Sequence, residues 1–348
     1  MATTQSKPSV KLNVLQRRVV RALDNRRLTL TLMPTEKCNF RCTYCYEDFE
    51  LGRMPPQVVD GLKNLISTRA PELRVLDLRW FGGEPMLGMP VIEEVCQHAQ
   101  GLRRKFPHIQ LVSSMTTNAY LLDRASLDHL LDLGVNYFQI SLDGYGDDHD
   151  QTRRRADGRG TFDQIWANLL AMRDLERKFG VMLRIHYTPA NLPEIKKLIE
   201  AVNREFGQDD RFRVFFKAVT RLGGPNNHLI QATSQEWQAR TKAALSRLLA
   251  RRDEVIDPNA DGAYVCYAAE PNSFVVRSNG QIARCTVAFN DPRNQVGWLR
   301  PDGSLDLDLD RSRLWFEGLE TLDTKTLNCP LPTLAELPPQ LVSLKAAG

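Results

Sequence analysis

Three cysteines, Cys38, Cys42 and Cys45, fall within eight positions of a chain that holds seven in all. Thiolates so close together could be a redox pair with a spare, three of four zinc ligands, or three ligands of an iron–sulfur cluster. Zinc sites usually pair two C-x2-C halves to reach four ligands, and here only Cys42 and Cys45 form one. A thioredoxin-like C-x-x-C has no use for Cys38. Buried structural cysteines do not cluster in a polar stretch such as "KCNFRCTYCYED" (37–48). A compact loop of three thiolates suits a [4Fe–4S] cluster with one iron left without a protein ligand.

The elements that must position this loop follow from periodicity. From residue 28 short β-like runs alternate with amphipathic helices. "RLTLTLMP" is a strand, and "PPQVVDGLKNLISTRA" carries Val58, Val59, Leu62, Leu65 and Ile66 at helical spacing. "LRVLDLRWFGG", "IQLVSSMTTN", "NYFQISLDG", "VMLRIHYTP" and "RFRVFFKAV" are further strands. Between them lie helices, one closed by Gly134 and one, "TFDQIWANLLAMRDLERKFG", closed by Gly180. Six βα units predict an α/β fold, a partial (β/α)6 TIM-like barrel with its working loops at the C-terminal strand ends. The cysteine loop follows the first strand and so belongs to that rim. Three segments are expected: a basic lead-in (1–27), the barrel (28–253), and a small, loop-rich α+β C-terminal module (254–348). In the last, "NSFVVRSNGQIARC" reads as a hairpin turning at Asn279-Gly280.

Composition bounds the rest. With 348 residues, 42% hydrophobic and 25% charged, the chain can bury a core and is not globally disordered. A net charge of +4 permits an acidic partner but makes nucleic acid an improbable one. No apolar run is long enough to span a membrane, and "MATTQSKPSVKLN" has no secretory apolar core. A cytoplasmic location is expected. An odd cysteine count argues against a disulfide framework.

"CNFRCTYC", a C-x3-C-x2-C spacing with the aromatic Tyr44 before its last cysteine, resembles the signature of the radical S-adenosylmethionine (SAM) superfamily. The resemblance runs on in order through "FGGEP" (81–85), "TTNA" (116–119), "SLDG" (141–144) and "HDQTR" (149–153). It implies that Cys38, Cys42 and Cys45 carry the catalytic cluster, with SAM on its open iron. Gly82 and Gly83 would let backbone carbonyls approach the SAM amino group, and Glu84 would add negative charge. Ser141 and Arg153 would hold the SAM carboxylate. Asp143 and Asn118 would shape the pocket, and Tyr44 would lie near the adenine.

A second set, Cys266, Cys285 and Cys329, lies in the C-terminal module. Thirteen residues, Gly280 and four more separate Cys266 from Cys285. This resembles the opening of SPASM and twitch modules, which implies an auxiliary [4Fe–4S] cluster. The chain departs from those families in having Cys329 alone where a SPASM module has a run of cysteines, so a second auxiliary cluster is not expected. The fourth ligand of the first stays open: a side chain, water or substrate. The competing reading is three separate buried cysteines, as is expected for Cys96 on its apolar helix face.

The resemblance implies a radical SAM enzyme that abstracts hydrogen from a peptide or protein, and a maturase forming a side-chain crosslink in a short ribosomal precursor is expected. It implies a low-potential electron donor such as flavodoxin or ferredoxin. The alternatives are oxidation of a carbohydrate-like alcohol, RNA modification, and a non-catalytic iron–sulfur or zinc protein. The last has no need of a SAM pocket. Residues 1–27 are too few for a leader-binding winged helix, although the basic stretch 16–27 could dock an acidic leader. His186 is read as a satisfied pocket histidine, Lys217 as facing an acidic substrate group, and Asp261 or Asp291 as a proton acceptor.

Overall fold

A computed structural model describes residues 12–251, 262–289 and 291–335. Six parallel strands are joined by helical crossovers: β1 (Arg27–Leu32), β2 (Val75–Trp80), β3 (Gln110–Thr117), β4 (Tyr137–Leu142), β5 (Gly180–Tyr187) and β6 (Phe212–Ala218). They pair in sequence order, and β6 is not joined back to β1. The result is an open barrel of six βα units.

Alternation along each strand separates two environments. Leu28, Leu30 and Leu32 of β1 and Leu76, Leu78 and Trp80 of β2 are buried beneath the helices. The opposite face carries Thr29 and Thr31, Asp77 and Arg79, and, on later strands, Gln139, Arg184 and Lys217. The covering helices are α2 (Pro56–Arg69), α3 (Met89–Lys105), α4 (Arg124–Asp132), the short α5 (Asp147–Asp150), α6 (Phe162–Arg173), α7 (Leu192–Phe206) and α8 (Gln235–Ser246). They are preceded by α1 (Val14–Ala22), which begins with a capping box between Asn13 and Gln16.

Gly134 closes α4 as expected. It takes φ +84°, Gly134 N–H bonds Leu131 O at 3.0 Å and Val135 N–H bonds Leu130 O at 2.9 Å, the paired bonds of a Schellman motif. Gly180 does something else. α6 stops at Arg173, and Gly180 opens β5 opposite Tyr137. A Cβ on Gly180 would lie 2.8 Å from Cδ2 of the Tyr137 ring, so this glycine serves a close strand contact and not a helix end.

The C-terminal strands are not a separate sheet. β7 (Ser273–Val276) pairs parallel with the free edge of β1, and β8 (Gln281–Ala283), β9 (Gln295–Leu299) and β10 (Leu305–Leu307) follow antiparallel, giving one ten-stranded sheet. The β7–β8 turn is at Asn279-Gly280, with Gly280 at φ +89°. Beyond β10 come four short helices, α9 (Leu309–Leu314), α10 (Glu317–Thr321), α11 (Thr324–Asn328) and α12 (Pro330–Ala335). The lead-in helix α1 packs Val19 and Ala22 on Val265, Ala269 and Leu327 of this region. No helix of the described residues is long and apolar enough to cross a membrane.

Candidate active site

The loop after β1 carries Cys38, Cys42 and Cys45, and three neighbouring segments fix its path. Gly82 and Gly83, after β2, lie flat against it: a Cβ on Gly83 would sit 2.5 Å from Lys37 O and 2.7 Å from Glu36 O, and Gly82 holds φ +114° against Thr35 O. Glu84 N–H bonds Lys37 O at 3.0 Å. The segment 152–156 stitches the other side, with Arg41 N–H on Arg154 O at 2.8 Å, Thr43 N–H on Thr152 O at 2.9 Å and Ala156 N–H on Asn39 O at 2.8 Å. Gly224, in the loop after β6, closes the third side against the backbone of Cys45 and Tyr46.

These constraints bring the three cysteines onto one cavity of about 140 Å³, shared with Tyr44, Gly82, Gly83, Asn118, Ser141 and Arg153. Nine of the residues singled out by sequence thus line a common space at the C-terminal strand ends. Burial pushes all three thiols up, Cys45 to about 12. Glu84 adds to the rise at Cys38, and Arg153 opposes it at Cys42.

Two of the expected pocket residues sit behind the wall instead. Glu84 is fully buried, and its carboxylate accepts from Met86 N at 3.0 Å, Thr117 Oγ1 at 2.8 Å and Asn118 N at 2.7 Å. It orients Asn118, whose Nδ2 then donates to Asn39 Oδ1 at 2.8 Å. Asp143 accepts from Tyr44 Oη at 2.9 Å, from Thr152 Oγ1 at 2.7 Å and from His186 Nδ1 at 3.1 Å. His186 and Arg153 hold its carboxyl well below the usual range, against a burial that opposes this. Asp143 therefore steers Tyr44, and Arg153 Nη1 donates to the same phenol at 3.0 Å.

His186 is a satisfied histidine. Its Nε2 accepts from Arg184 Nε at 3.0 Å, so Nδ1 carries the proton donated to Asp143. Burial lowers its pKa to about 4, which keeps it neutral. Arg153 is buried, and its Nε has no partner in the protein. An orphaned guanidinium donor beside a cavity fits an anionic group in that cavity.

Sequence reasoning missed several neighbours. Glu47 lines the cavity, has an unpartnered Oε2, and is raised to about 8 by burial and by the charges of Glu36 and Asp48. Arg277 and Glu36 form a buried ion pair that no spacing rule reveals, because 241 residues separate them. Gly224 could have been noticed from "LGGP", where paired glycines follow a strand.

The second set is also brought together. Cys266, Cys285 and Cys329 lie within electrostatic reach of one another, and burial first, then neighbouring thiolates, raises Cys266 to about 12. Cys266 N–H bonds Leu327 O at 2.8 Å, Cys285 N–H bonds Asn294 Oδ1 at 2.8 Å, and Cys329 is exposed. Among the described residues, no three His, Cys, Asp or Glu side chains converge tightly enough for a single metal ion. Asp291 is committed to Arg293, which lowers its pKa and makes it a poor proton acceptor. Asp261 lies outside the described residues. Cys96 is buried in the core as expected.

Comparison with known proteins agrees with this geometry. The Radical SAM superfamily matches residues 32–202. The chain is 32% identical over 142 residues to a GTP 3',8-cyclase of Microcystis aeruginosa, covering 39% of this chain and 40% of the relative. It is 27% identical over 175 residues to a PqqA peptide cyclase of Gluconobacter oxydans, covering 50% of this chain and 45% of the relative. The matches thus span less than half of these curated relatives. In fold it resembles Streptococcus suis SuiB bound to precursor peptide SuiA, with TM-score 0.63 and 14% identity over 99% of this chain and 84% of that one. It also resembles native anSMEcpe with bound AdoMet and Cp18Cys peptide, with TM-score 0.62 and 17% identity over 82% and 80%.

Proposed function

We propose that the radical SAM domain of residues 32–202 makes this chain a peptide-modifying enzyme, with its reaction centre in the Cys38–Cys42–Cys45 cavity. The observation that carries the reading is that one cavity gathers three thiols, two glycines, Asn118, Ser141 and the buried cation Arg153. The three thiols would hold a [4Fe–4S] cluster, and Arg153 with Ser141 the carboxylate of SAM. When bound, the pair supplies a 5′-deoxyadenosyl radical able to take hydrogen from an unactivated carbon.

The chain's own residues do the rest. Gly82 and Gly83 keep the cysteine loop pressed against the β2 end. Glu84 fixes Asn118. Asp143, with Arg153, fixes Tyr44 at the cavity edge. Tyr46, which lines the cavity, stands with its ring centroid 6.4 Å from that of Phe289 in the C-terminal region.

A peptide substrate is supported by the PqqA peptide cyclase relatives and by the fold shared with two structures that hold peptides. We assign crosslinking of a precursor peptide as the reaction, with Cys266, Cys285 and Cys329 holding a SPASM/twitch-like auxiliary cluster that takes up the second electron, and a flavodoxin- or ferredoxin-like donor supplying the first. The test is anaerobic reconstitution followed by incubation with SAM, reductant and the peptide encoded nearest the gene. A product lighter by two hydrogens supports crosslinking. An unchanged peptide beside abundant 5′-deoxyadenosine refutes that substrate assignment.

A further inference from the structure

A second cavity, of about 300 Å³, adjoins the cysteine cavity, and Phe81 and Thr116 line both. It occupies the barrel interior and is lined by Arg79, Ser114, Tyr137, Gln139 and Arg184, with Tyr267 and Thr286 of the C-terminal region on its far wall. Tyr267 and Thr286 stand next to Cys266 and Cys285 in sequence and bond each other through their hydroxyls at 2.8 Å. A molecule in this space would lie between the two cysteine sets.

Its two arginines differ. Arg79 donates to Asp77 at 2.8 and 3.2 Å, a carboxylate it shares with Arg27. Arg184 has no acidic partner among the described residues. Its Nε donates to His186, and no acceptor among the described residues takes its Nη hydrogens. The nearest carboxylate, Asp143, is one imidazole away and already accepts three hydrogen bonds. Lys217, on the neighbouring strand opposite His186, has no ion pair among the described residues, and it lies within electrostatic reach of Arg184, Lys242 and Cys329. Burial lowers the pKa of both Arg184 and Lys217. Both side chains are half-buried, and two like charges within electrostatic reach repel each other at a cost that grows as water is excluded. An anion beside Arg184, which lines the cavity, lowers that cost, and a planar carboxylate matches the guanidinium edge.

We propose that Arg184, assisted by Lys217, binds a carboxylate of the substrate in the barrel cavity. The inference rests on the peptide reading above. The carboxylate is an acidic side chain or the peptide C-terminus, and either presents the same fork of oxygens.

The test uses the reconstituted holoenzyme saturated with SAM and three short probes: acetyl-Gly-Gly-Glu-Gly-Gly-amide, its Gln counterpart, and the Gln peptide with a free C-terminal carboxylate. Dissociation constants are read by calorimetry. One or both carboxylate probes are expected to bind about tenfold or more tightly than the neutral one. The Glu probe marks a side-chain source and the free-acid probe a C-terminal one. Arg184→Gln should abolish the preference and Arg184→Lys should keep part of it. If Arg184→Gln loses its iron, and so its fold, Lys217→Gln is read instead and should weaken the preference. Equal binding of all three probes by the wild type, or an unchanged preference in the Arg184→Gln holoenzyme, overturns the proposal. So does an unchanged preference in Lys217→Gln where that variant is the one read. Failure here with 5′-deoxyadenosine still formed from SAM condemns the carboxylate site alone, whereas absence of 5′-deoxyadenosine condemns the radical SAM reading.

Discussion

Arg277 forks onto Glu36, with Nη2 to Oε2 at 2.6 Å and Nε to Oε1 at 3.1 Å, and both side chains are buried. Glu36 is two residues before Cys38, and Arg277 begins the hairpin turn that leads to Cys285. One ion pair therefore ties the loop of the first cysteine set to the hairpin of the second. Ser278 N–H adds a bond to Glu36 Oε1 at 3.3 Å. Removing one partner leaves the other charged, buried and unpaired, at a cost of about 3–5 kcal/mol. Arg277→Met should lose that much in denaturant unfolding, and Arg277→Met with Glu36→Leu should recover most of it. Additive losses in the double variant would refute the coupling.

Gly83 tests the contact that seats the cysteine loop. A methyl there meets the backbone of Glu36 and Lys37, which cannot move without moving Cys38. Gly83→Ala is expected to cost about 1–3 kcal/mol and to lower the iron bound after reconstitution. Gly52→Ala, where a Cβ meets nothing within 4 Å, is the control and should keep full iron.

Acid should loosen the barrel rim through His149. The residue is buried, its Nδ1 accepts from Asp143 N at 3.3 Å, and burial lowers its pKa to about 4. The unfolded chain takes up the proton near pH 6.5, the folded one only near 4. Stability is therefore present in full above about 6.5 and falls as the pH drops through that window, by up to about 1.4 kcal/mol per pH unit for this one group. Denaturant unfolding between pH 7 and pH 4 should show the slope, and His149→Gln should reduce it, leaving the share of His186, which titrates in the same window. The same slope in both proteins would contradict the assignment.

The auxiliary set is tested by counting iron. The wild type should hold about eight irons per chain when both sites carry a [4Fe–4S] cluster, and Cys285→Ala about four. About four in both would remove the auxiliary cluster from the account.

Much of the first site was legible because its residues lie at strand ends in a fixed order. Once β1 to β4 were read from alternation, "CNFRCTYC", "FGGEP", "TTNA" and "SLDG" had to meet at one rim. Three things were not legible. Glu84 and Asp143 have the right position but turn inward, because each finds three donors in its own shell. The C-terminal strands continue the barrel sheet through β1–β7 pairing, and edge pairing between segments some 245 residues apart leaves no local pattern. Gly180 was misread because a glycine needed for a neighbour's ring looks, in sequence, like one that ends a helix.

The central claim is that the Cys38–Cys42–Cys45 cavity reductively cleaves SAM. Chromatographic quantification of 5′-deoxyadenosine from the anaerobically reconstituted, dithionite-reduced chain tests it directly. The wild type should form 5′-deoxyadenosine and methionine in equal amounts, and Cys42→Ala should form neither. Formation by Cys42→Ala, or none from a wild type loaded with iron, would contradict it.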